Sequence, residues 1–265
     1  MHERHTDREL YYREQAYTTR KHVIPFISGV MEITPELSVL EIGCGEGGNL
    51  LPFLEEGCSR ITGVDISGSK IGNAIRFYES VPGGEKVEFI AADIYDCGET
   101  GKYDLVMMRD VLEHIHDQEK FISFVKNLLA PGGMLFIAFP PWCNPFGGHQ
   151  QVCESRILSK TPWIHLLPRR LYRLLLRSAG ESPERIEGLL EIKDTGLNLG
   201  RFYRIIKKEG FSVLKKSLWL INPNFEIKFG LRPRLLPRFA GAVPVLRNFL
   251  VTTGYFIISS HPRKP

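Results

Sequence analysis

The stretch Leu37-Ser-Val-Leu-Glu-Ile-Gly-Cys-Gly-Glu-Gly-Gly-Asn49 decides the fold. Its first half, residues 37–42, has the length and apolar content of a short buried strand. Its second half, residues 43–48, is a glycine-rich turn that leads into a helix predicted over 49–56. Glycines at such a turn let backbone amides approach a ligand closely, at the N-terminus of a helix. The stretch therefore predicts a strand, a turn and a helix that together cradle a ligand.

Strand and helix patterns alternate along the rest of the chain. Further strands are predicted over 60–66, 86–91, 103–108, 134–139, 211–220 and 249–260. Helices are predicted over 8–31, 69–79, 117–129 and 198–208, and shorter ones over 154–192, broken at Pro162, Pro168 and Pro183. Strands separated by helical crossovers form a parallel sheet with helices on both faces, and ligands bind at the carboxyl ends of the strands.

We therefore expect an α/β fold in one domain over 1–265, in which the irregular stretch after Pro140 is an insertion. Its parts are an N-terminal helical segment (1–35), a ligand-binding core (36–140), a helical cap (141–200) and the end of the sheet with a basic tail (201–265).

Composition excludes several classes of protein. With 43% apolar and 24% charged residues, a chain of 265 residues is neither disordered nor fibrous. Its five cysteines include no CxxC pair, which disfavours a zinc site and a disulfide framework and favours a reducing cytoplasm. The charged N-terminus does not resemble a signal peptide, and Arg247 and Asn248 interrupt the longest apolar run.

The C-terminal part is strongly basic. Residues 201–265 hold 13 Lys and Arg against 2 Asp and Glu, whereas residues 1–140 hold 13 against 22. A basic region can serve an anionic membrane, an acidic substrate or nucleic acid, or it can be a solvated face. A peripheral position at the inner face of the membrane is compatible with this charge.

Acidic residues after the strands discriminate between ligands of the glycine turn. Gly43, Gly45 and Gly48 fit the GxGxxG spacing of dinucleotide sites, and Asp65 lies where a ribose-binding acid is expected. Glu41, however, is an anion two residues before the turn, which disfavours a pyrophosphate and suits a cationic ligand. Asp93 ends the third strand, where it can accept a hydrogen bond from an exocyclic amine.

Five motifs in order then resemble the class I S-adenosylmethionine-dependent methyltransferases. They are Val39-Leu-Glu-Ile-Gly-Cys-Gly-Glu-Gly, Gly63-Val-Asp-Ile-Ser, Ala91-Ala-Asp-Ile, Tyr103-Asp-Leu-Val-Met-Met-Arg-Asp-Val-Leu-Glu-His-Ile and Leu128-Leu-Ala-Pro-Gly-Gly-Met-Leu. The resemblance covers about 36–140 and implies a Rossmann-like, doubly wound sheet of seven strands, whose last strand (249–260) inserts antiparallel beside the sixth. It also implies S-adenosyl-L-methionine as the methyl donor and S-adenosyl-L-homocysteine as the product.

The resemblance implies a role for each cofactor-binding candidate. Glu41, Gly43, Cys44 and Gly45 would hold the methionine part, Asp65 with Ile66 the ribose, and Asp93 with Ile94 the adenine, while Arg109, Asp110 and Val111 would lie near the sulfonium. Tyr12, with Tyr11 and Tyr17, would belong to an entrance helix that closes over the cofactor. Structural alternatives stay open, because the glycines could only make a turn, Asp65 could cap a helix and the tyrosines could be core residues.

The sequence also offers candidates for catalysis. Methyl transfer to a hydroxyl benefits from a base, and His149 follows the fifth strand in Asn144-Pro-Phe-Gly-Gly-His-Gln, where such enzymes receive substrate. His114 is a second candidate. Both could instead serve packing or loop hydrogen bonds. Glu113, His114 and His116 could gather an ion, but their spacing also fits a helix-entry loop, so no metal site is predicted.

The insertion suggests a class of acceptor. On a helical wheel over 169–178, Leu171, Leu174, Leu175 and Leu176 share one side and Arg169, Arg170, Arg173 and Arg177 the other. Such a basic amphipathic helix could rest on a membrane, grip a phosphate-bearing substrate or pack as a cap. We expect methyl transfer, at oxygen, to a small-molecule acceptor or a lipid- or nucleotide-linked one such as a glycan.

Three rival functions remain at this stage. They are methylation of a quinone or phenol precursor, an inactive domain that binds cofactor or a partner, and a dinucleotide oxidoreductase. Nucleic acid is disfavoured as substrate, because Met107-Met-Arg-Asp stands where an Asn-Pro-Pro-Tyr-type motif would follow the fourth strand. The sequence does not predict an oligomeric state.

Overall fold

A computed structural model describes residues 7–98 and 101–260 of the chain. The first six residues of the predicted N-terminal segment and the last five of the predicted basic tail, which include Arg263 and Lys264, lie outside the described residues. None of the helices in the described ranges is long and apolar enough to cross a membrane.

The centre of the fold is a mixed sheet in the strand order β3-β2-β1-β4-β5-β8-β6-β7. The strands are β1 (Ser38–Ile42), β2 (Arg60–Asp65), β3 (Val87–Ala91), β4 (Tyr103–Arg109), β5 (Leu129–Phe139), β6 (Ser212–Ile221), β7 (Arg234–Leu235) and β8 (Thr253–Ser259). Strands β1 to β5 pair in parallel, and β8 lies antiparallel between β5 and β6. The Rossmann-like fold with an antiparallel last strand is therefore confirmed.

The strand count differs slightly from the expected seven. The additional strand, β7, has only two residues, which pair with Trp219 and Ile221 at the edge of the sheet. Pro233 and Pro237 flank it, and so short a segment shows no alternation that a sequence pattern could reveal.

The helices lie mostly where the periodicity predicts them. They are α1 (Arg8–Thr18), α2 (Ile24–Ser28), α3 (Leu51–Glu55), α4 (Gly68–Tyr78), α5 (Gln118–Lys126), α6 (Arg169–Ser178), α7 (Pro183–Thr195), α8 (Leu199–Lys208), α9 (Asn224–Phe229), α10 (Arg238–Ala242) and α11 (Pro244–Leu250). A π-helical segment, Thr19–Val23, joins α1 to α2. The Asp7 side chain begins α1 by accepting a hydrogen bond from the Leu10 amide at 2.9 Å.

Two apolar layers cover the faces of the sheet. Leu40 and Val106 belong to one layer, and their neighbours Val39 and Leu105 belong to the other. This alternation follows from the two-residue period of a strand. Strands β1 and β4 are buried along nearly their whole length. Because they are neighbours in the middle of the strand order, their carboxyl ends lie near the centre of one sheet edge.

Residues of the predicted insertion form a small apolar core of their own. This core shows which residues of the helix predicted over 169–178 are covered. Tyr172 and Leu176 are buried in that core, whereas Leu171 is 53% and Leu174 64% exposed. The basic side is neutralised in part, because Arg169 pairs with Asp194 at 3.0 Å and Arg173 with Glu187 at 3.2 Å. The helix has the predicted bounds, and it packs in this small core through Tyr172 and Leu176, while two leucines of the predicted apolar side, Leu171 and Leu174, remain exposed.

Candidate functional site

A cavity of about 690 Å³ lies at the carboxyl ends of β1 and β4. Its walls come from α1, the glycine turn after β1, the end of β4, the loop after β5 and α9 with the residue stretch that follows it. The volume is within the usual range of small-ligand sites, and the place in the fold is where open α/β sheets bind ligands.

The glycine turn shows why Gly43 and Gly45 stand where they do. Both have a positive φ, 74° and 55°. A Cβ on Gly43 would lie 2.4 Å from the Cγ2 atom of Val111, so this glycine allows the turn to pack against the segment after β4. A Cβ on Gly45 would meet nothing within 4 Å, and Gly45 lines the cavity. The turn is thus packed against Val111 at Gly43 and open to the cavity at Gly45. The Cys44 side chain is buried in the apolar layer that also contains Val39 and Leu105.

Asp65 holds the glycine turn in place. Its Oδ2 accepts a hydrogen bond from the Gly45 amide at 2.9 Å, and its Oδ1 accepts one from the Ser67 amide at 2.9 Å. Ser67 itself is the N-cap of α4. Each carboxylate oxygen keeps a second lone pair with which to accept a further hydrogen bond.

The ends of β2 and β3 form an open rim beside the cavity. Asp65, the last residue of β2, pairs with Ala91, the last residue of β3. Asp93 comes two residues after Ala91, so the two acids lie at neighbouring strand ends. Ile66 is 80% exposed, Asp93 is exposed, and the Asp93 Oδ1 accepts a hydrogen bond from the Tyr95 amide at 3.0 Å. Ile94, in contrast, is buried in the core. The exposed apolar side chain of Ile66 and the carboxylate of Asp93 on this rim suit a flat ring that carries hydrogen-bond donors at its edge.

Glu41 lies beneath the cavity and does not line it. Its side chain is completely buried, and its Oε1 accepts a hydrogen bond of 2.6 Å from the Asn49 Nδ2. Burial raises the pKa of Glu41 to about 8, against the lowering effects of Asn49 and Arg109. Asn49, which lines the cavity, therefore stands between Glu41 and a ligand.

Arg109 joins three parts of the chain at the cavity wall. Its Nη1 donates to the Thr19 Oγ1 at 2.7 Å and to the Asn49 Oδ1, and its Nη2 donates to the Asn224 Oδ1 at 3.0 Å. Thr19 follows α1, Asn49 follows the glycine turn, and Asn224 begins α9. The buried guanidinium thus holds together the elements that enclose the cavity.

Of the three tyrosines predicted for the entrance helix, Tyr11 lines the cavity and Tyr12 does not. Tyr12 is buried between Phe77 and Tyr78, with ring centroids 5.1 and 6.0 Å away, and it does not line the cavity. Tyr11 lines it, and burial raises the pKa of its phenol to about 12. The α1 residues on the cavity are Arg8, Tyr11, Glu14, Gln15 and Thr18. Their spacing of three, four and seven residues is a helical face that the sequence would have revealed.

The segments after β4 and β5 bring three chemical groups together. The Glu113 Oε1 lies 3.9 Å from the His149 Nε2, and the rings of His114 and His149 have centroids 5.1 Å apart. One donor atom from each of Glu113, His114 and His149 fits within 4.8 Å, so this set could hold a metal ion. His116, the third member of the set considered in the sequence, is not part of it; His149 takes its place.

Burial shifts the pKa values of Glu113 and His149 in this set. Neither carboxylate oxygen of Glu113 has a hydrogen-bond partner within the described residues, and burial, followed by the charge of Asp110, raises the pKa of Glu113 well above its usual value. Burial, followed by the neighbouring histidines, lowers the pKa of His149 to about 4. His149 and Asp110 also have positive φ angles, 56° and 55°. Strained backbone of this kind is concentrated at functional sites.

The loop after β5, which the sequence indicates, and α9, which carries no sequence motif, complete the outer half of the cavity. The loop after β5 supplies Phe146, Gln151, Ser159 and Lys160, and α9 with its following turn supplies Asn224, Phe225, Lys228, Phe229 and Leu231. Ion pairs of Glu226 with Lys21 and His22, both at 2.8 Å, fasten α9 to the N-terminal helices. This half mixes four apolar side chains with two lysines and three neutral polar residues. The part on α9 could have been indicated only by its position after the sixth strand.

Comparison with known proteins identifies relatives of the chain. The family described as "Methyltransferase domain" matches residues 12–181, more than half of the chain. The chain is similar to the ubiquinone biosynthesis O-methyltransferase of Aromatoleum aromaticum, at 32% identity over 103 residues, or 38% of this chain and 42% of the relative. The equivalent enzyme of Rhizobium leguminosarum is 35% identical over 105 residues, or 38% of this chain and 40% of the relative. The matched segment thus spans about two fifths of these curated relatives.

A solved structure shows the same fold. The magnesium protoporphyrin IX methyltransferase of Synechocystis, solved with bound S-adenosylhomocysteine, matches with a TM-score of 0.52 and 18% identity, over 92% of this chain and 82% of that one. The ordered motifs, the sheet with its antiparallel strand β8 and the family match agree. The chain belongs to the methyltransferase family.

Proposed function

We propose that the chain is an S-adenosylmethionine-dependent methyltransferase that methylates a hydroxyl group of a small, largely apolar acceptor. The observation that carries the proposal is the glycine turn at Gly45, which is open to a cavity whose other side is lined by apolar groups. A donor seated on the turn and an acceptor seated opposite would share one enclosed space, as methyl transfer requires.

The residues present fit the donor. A bound S-adenosylmethionine supplies a methyl group on a positively charged sulfur, ready for in-line displacement. Arg109 and the backbone of residues 43–45 would hold its amino-acid end, Asp65 its ribose hydroxyls, and Ile66 with Asp93 its adenine. Asn49 replaces Glu41 as the polar group that faces the ligand. Asp110 at the end of β4 would lie close to the reacting carbon.

We assign proton removal to His149, with Glu113 as its positioning residue. Burial lowers the pKa of His149 to about 4, so its imidazole is neutral and weakly basic at pH 7. His149 does not itself line the cavity, whereas Phe146 and Gln151 of the same loop do. In this assignment the bound acceptor brings its hydroxyl within reach of the His149 Nε2, which would accept the proton. The imidazolium so formed would lie beside the Glu113 carboxyl group, at the 3.9 Å separation. The raised pKa of Glu113 keeps its carboxyl group protonated while His149 is neutral. Formation of the imidazolium would favour ionisation of Glu113, and the resulting carboxylate would in turn stabilise the positive charge.

The acceptor wall favours an aromatic or lipid-linked molecule. Phe146, Phe225, Phe229 and Leu231 offer apolar and aromatic surface, and Lys160 and Lys228 lie among them. A hydroxylated aromatic ring, as in a quinone precursor, matches these surfaces and also the names of the curated relatives. A lipid- or nucleotide-linked glycan is the second candidate, favoured by the lysines. A lipid-linked acceptor would bring the enzyme to the cytoplasmic face of a membrane.

The test is a transfer assay with methyl-labelled S-adenosylmethionine against two panels, phenolic quinone precursors with tails of increasing length and lipid- or nucleotide-linked sugars. Label should enter the phenolic panel. His149→Ala should lower turnover by about 100-fold, the usual contribution of a general base, with S-adenosylhomocysteine binding unchanged. Val152→Ala, on the same loop but outside the cavity lining, is the matched control. Binding of S-adenosylhomocysteine without transfer to either panel would instead favour a cofactor-binding domain without catalysis.

A further inference from the structure

One stretch of the C-terminal part carries positive charge only. From residue 227 to 259 the sequence contains Lys228, Arg232, Arg234, Arg238 and Arg247, and no Asp or Glu. Arg232, Arg234 and Arg238 are exposed and take part in none of the ion pairs formed within 7–98 and 101–260. On α6, Arg169 and Arg173 are paired with acids of α7, whereas Arg170 and Arg177 are exposed and outside the ion pairs of the described residues. The stretch after β6 differs from α6 and its neighbour α7 in that no acid stands among its arginines.

The same stretch exposes large apolar side chains. Phe239 on α10 is 78% exposed, and Val245 and Leu246 on α11 are 65% and 47% exposed. Leu231, Leu235 and Val243, on the turns and strand before α11, are also about half exposed. Leu236 and Ala240 are buried in the core and attach the segment to the rest of the protein. The exposed apolar side chains lie on the opposite, solvent-facing side of the segment. Exposed apolar residues grouped in this way usually mark an interaction surface.

This basic apolar face, residues 229–250, is continuous with the mouth of the cavity. Phe229 and Leu231 line the cavity and are nevertheless 49% and 47% exposed. They therefore form the rim at which the cavity opens, directly before Arg232 and Arg234.

We propose that the basic apolar face docks on an anionic phospholipid membrane. Arginines would contact lipid headgroups while Phe239, Val245 and Leu246 enter the boundary between headgroups and acyl chains, the arrangement in which interfacial helices bind. Nucleic acid would use the arginines but would leave the apolar side chains in water. Docking would point the cavity mouth at the lipid, so that an acceptor with an apolar tail enters from the membrane. The docking itself does not depend on the proposed methyl transfer.

Vesicle flotation of the full chain tests the proposal. The protein should float with vesicles of phosphatidylcholine and phosphatidylglycerol and remain behind with phosphatidylcholine alone. R232Q/R234Q/R238Q should weaken binding to the anionic vesicles by about 100-fold, since each surface cation contributes close to a factor of five. Phe239→Ser with Val245→Ser should weaken it by about tenfold, because part of the apolar burial is lost.

Matched controls lie on the insertion. R169Q/R173Q removes the paired arginines, and L171S/L174S removes exposed leucines of similar size, so both should float like wild type. Phe239→Trp should give a blue-shifted emission on anionic vesicles only. Binding of S-adenosylhomocysteine, measured on every variant, shows that each remains folded.

Three results of the flotation assay and one of a competition assay would overturn the proposal. The flotation results are wild-type protein that fails to float with anionic vesicles, a triple arginine variant that floats unchanged, and insertion variants that lose as much binding as the variants of the basic apolar face. Displacement from vesicles by an equal concentration of duplex DNA phosphate would also contradict it, because the surface would then be a general polyanion site.

Discussion

Replacing Gly45 and Gly132 by alanine separates a ligand-binding glycine from a purely conformational one. Both have a positive φ, 55° and 81°, and neither has an atom within 4 Å of an added Cβ. Gly45 lines the cavity, whereas Gly132 lies near the start of β5, at the opposite edge of the sheet. Each alanine should cost about 1–2 kcal/mol of stability from the left-handed backbone alone. For a domain of this size that is a fall of about 2–4 °C in Tm per kcal/mol.

Only the Gly45 variant should lose ligand. The added methyl group enters space that we assign to the amino-acid end of the donor, and overpacking of this kind costs about 1–3 kcal/mol. Titration calorimetry with S-adenosylhomocysteine should therefore show roughly fivefold to 150-fold weaker binding for Gly45→Ala and wild-type binding for Gly132→Ala. Thermal melting without ligand should give similar losses for both. Equal affinity in the two variants at equal loss of Tm would refute the assignment of the glycine turn.

Three further predictions concern buried ionisable groups. Burial raises the pKa of Glu41 to about 8, so wild type should lose stability as the pH rises from 4.5 to 8; the Tm of Glu41→Gln should fall less between pH 5 and 8. Burial lowers the pKa of His165 to about 4, so the opposite sign holds: wild type should lose about 2 kcal/mol more than His165→Gln between pH 7 and 5, seen as a larger drop in Tm. If Glu113 and His149 serve proton transfer without a metal ion, dialysis against EDTA should leave methyl transfer unchanged. Activity that is lost on dialysis and restored by a divalent cation would contradict that role.

The core of the fold could be predicted because its signals are local. Each strand from β1 to β5 has its own apolar run, and four glycines within six residues indicate the turn after β1. The positions of Asp65 and Asp93 then follow, since parallel neighbours end at the same sheet edge. The exposures of Leu171 and Leu174 could not be predicted in the same way. A helical wheel shows which residues share a side but not which side another helix covers. In α6 the covered side is the one that contains Tyr172, which is completely buried.

The cavity's outer half depends on contacts between distant parts of the chain. Arg109 and Asn224 are 115 positions apart, and no local pattern indicates that one donates a hydrogen bond to the other. Glu113 and His149 likewise meet only because the segments after β4 and β5 end at one edge of the sheet. The sequence predicted each histidine as a separate candidate. It could not predict that His149, and not His116, joins Glu113 and His114.

Arg109 shows how the site reconciles a buried charge with a stable fold. Its three hydrogen-bond partners, on Thr19, Asn49 and Asn224, are neutral oxygens, which accept hydrogen bonds from three of its five N–H groups without neutralising it. A buried guanidinium held in this way keeps its positive potential at the cavity wall. It also fixes the entrance helix, the glycine turn and α9 relative to one another. An anionic group bound at this wall would therefore be attracted by a charge that is already in place, and its binding would need no rearrangement of the three elements that surround it.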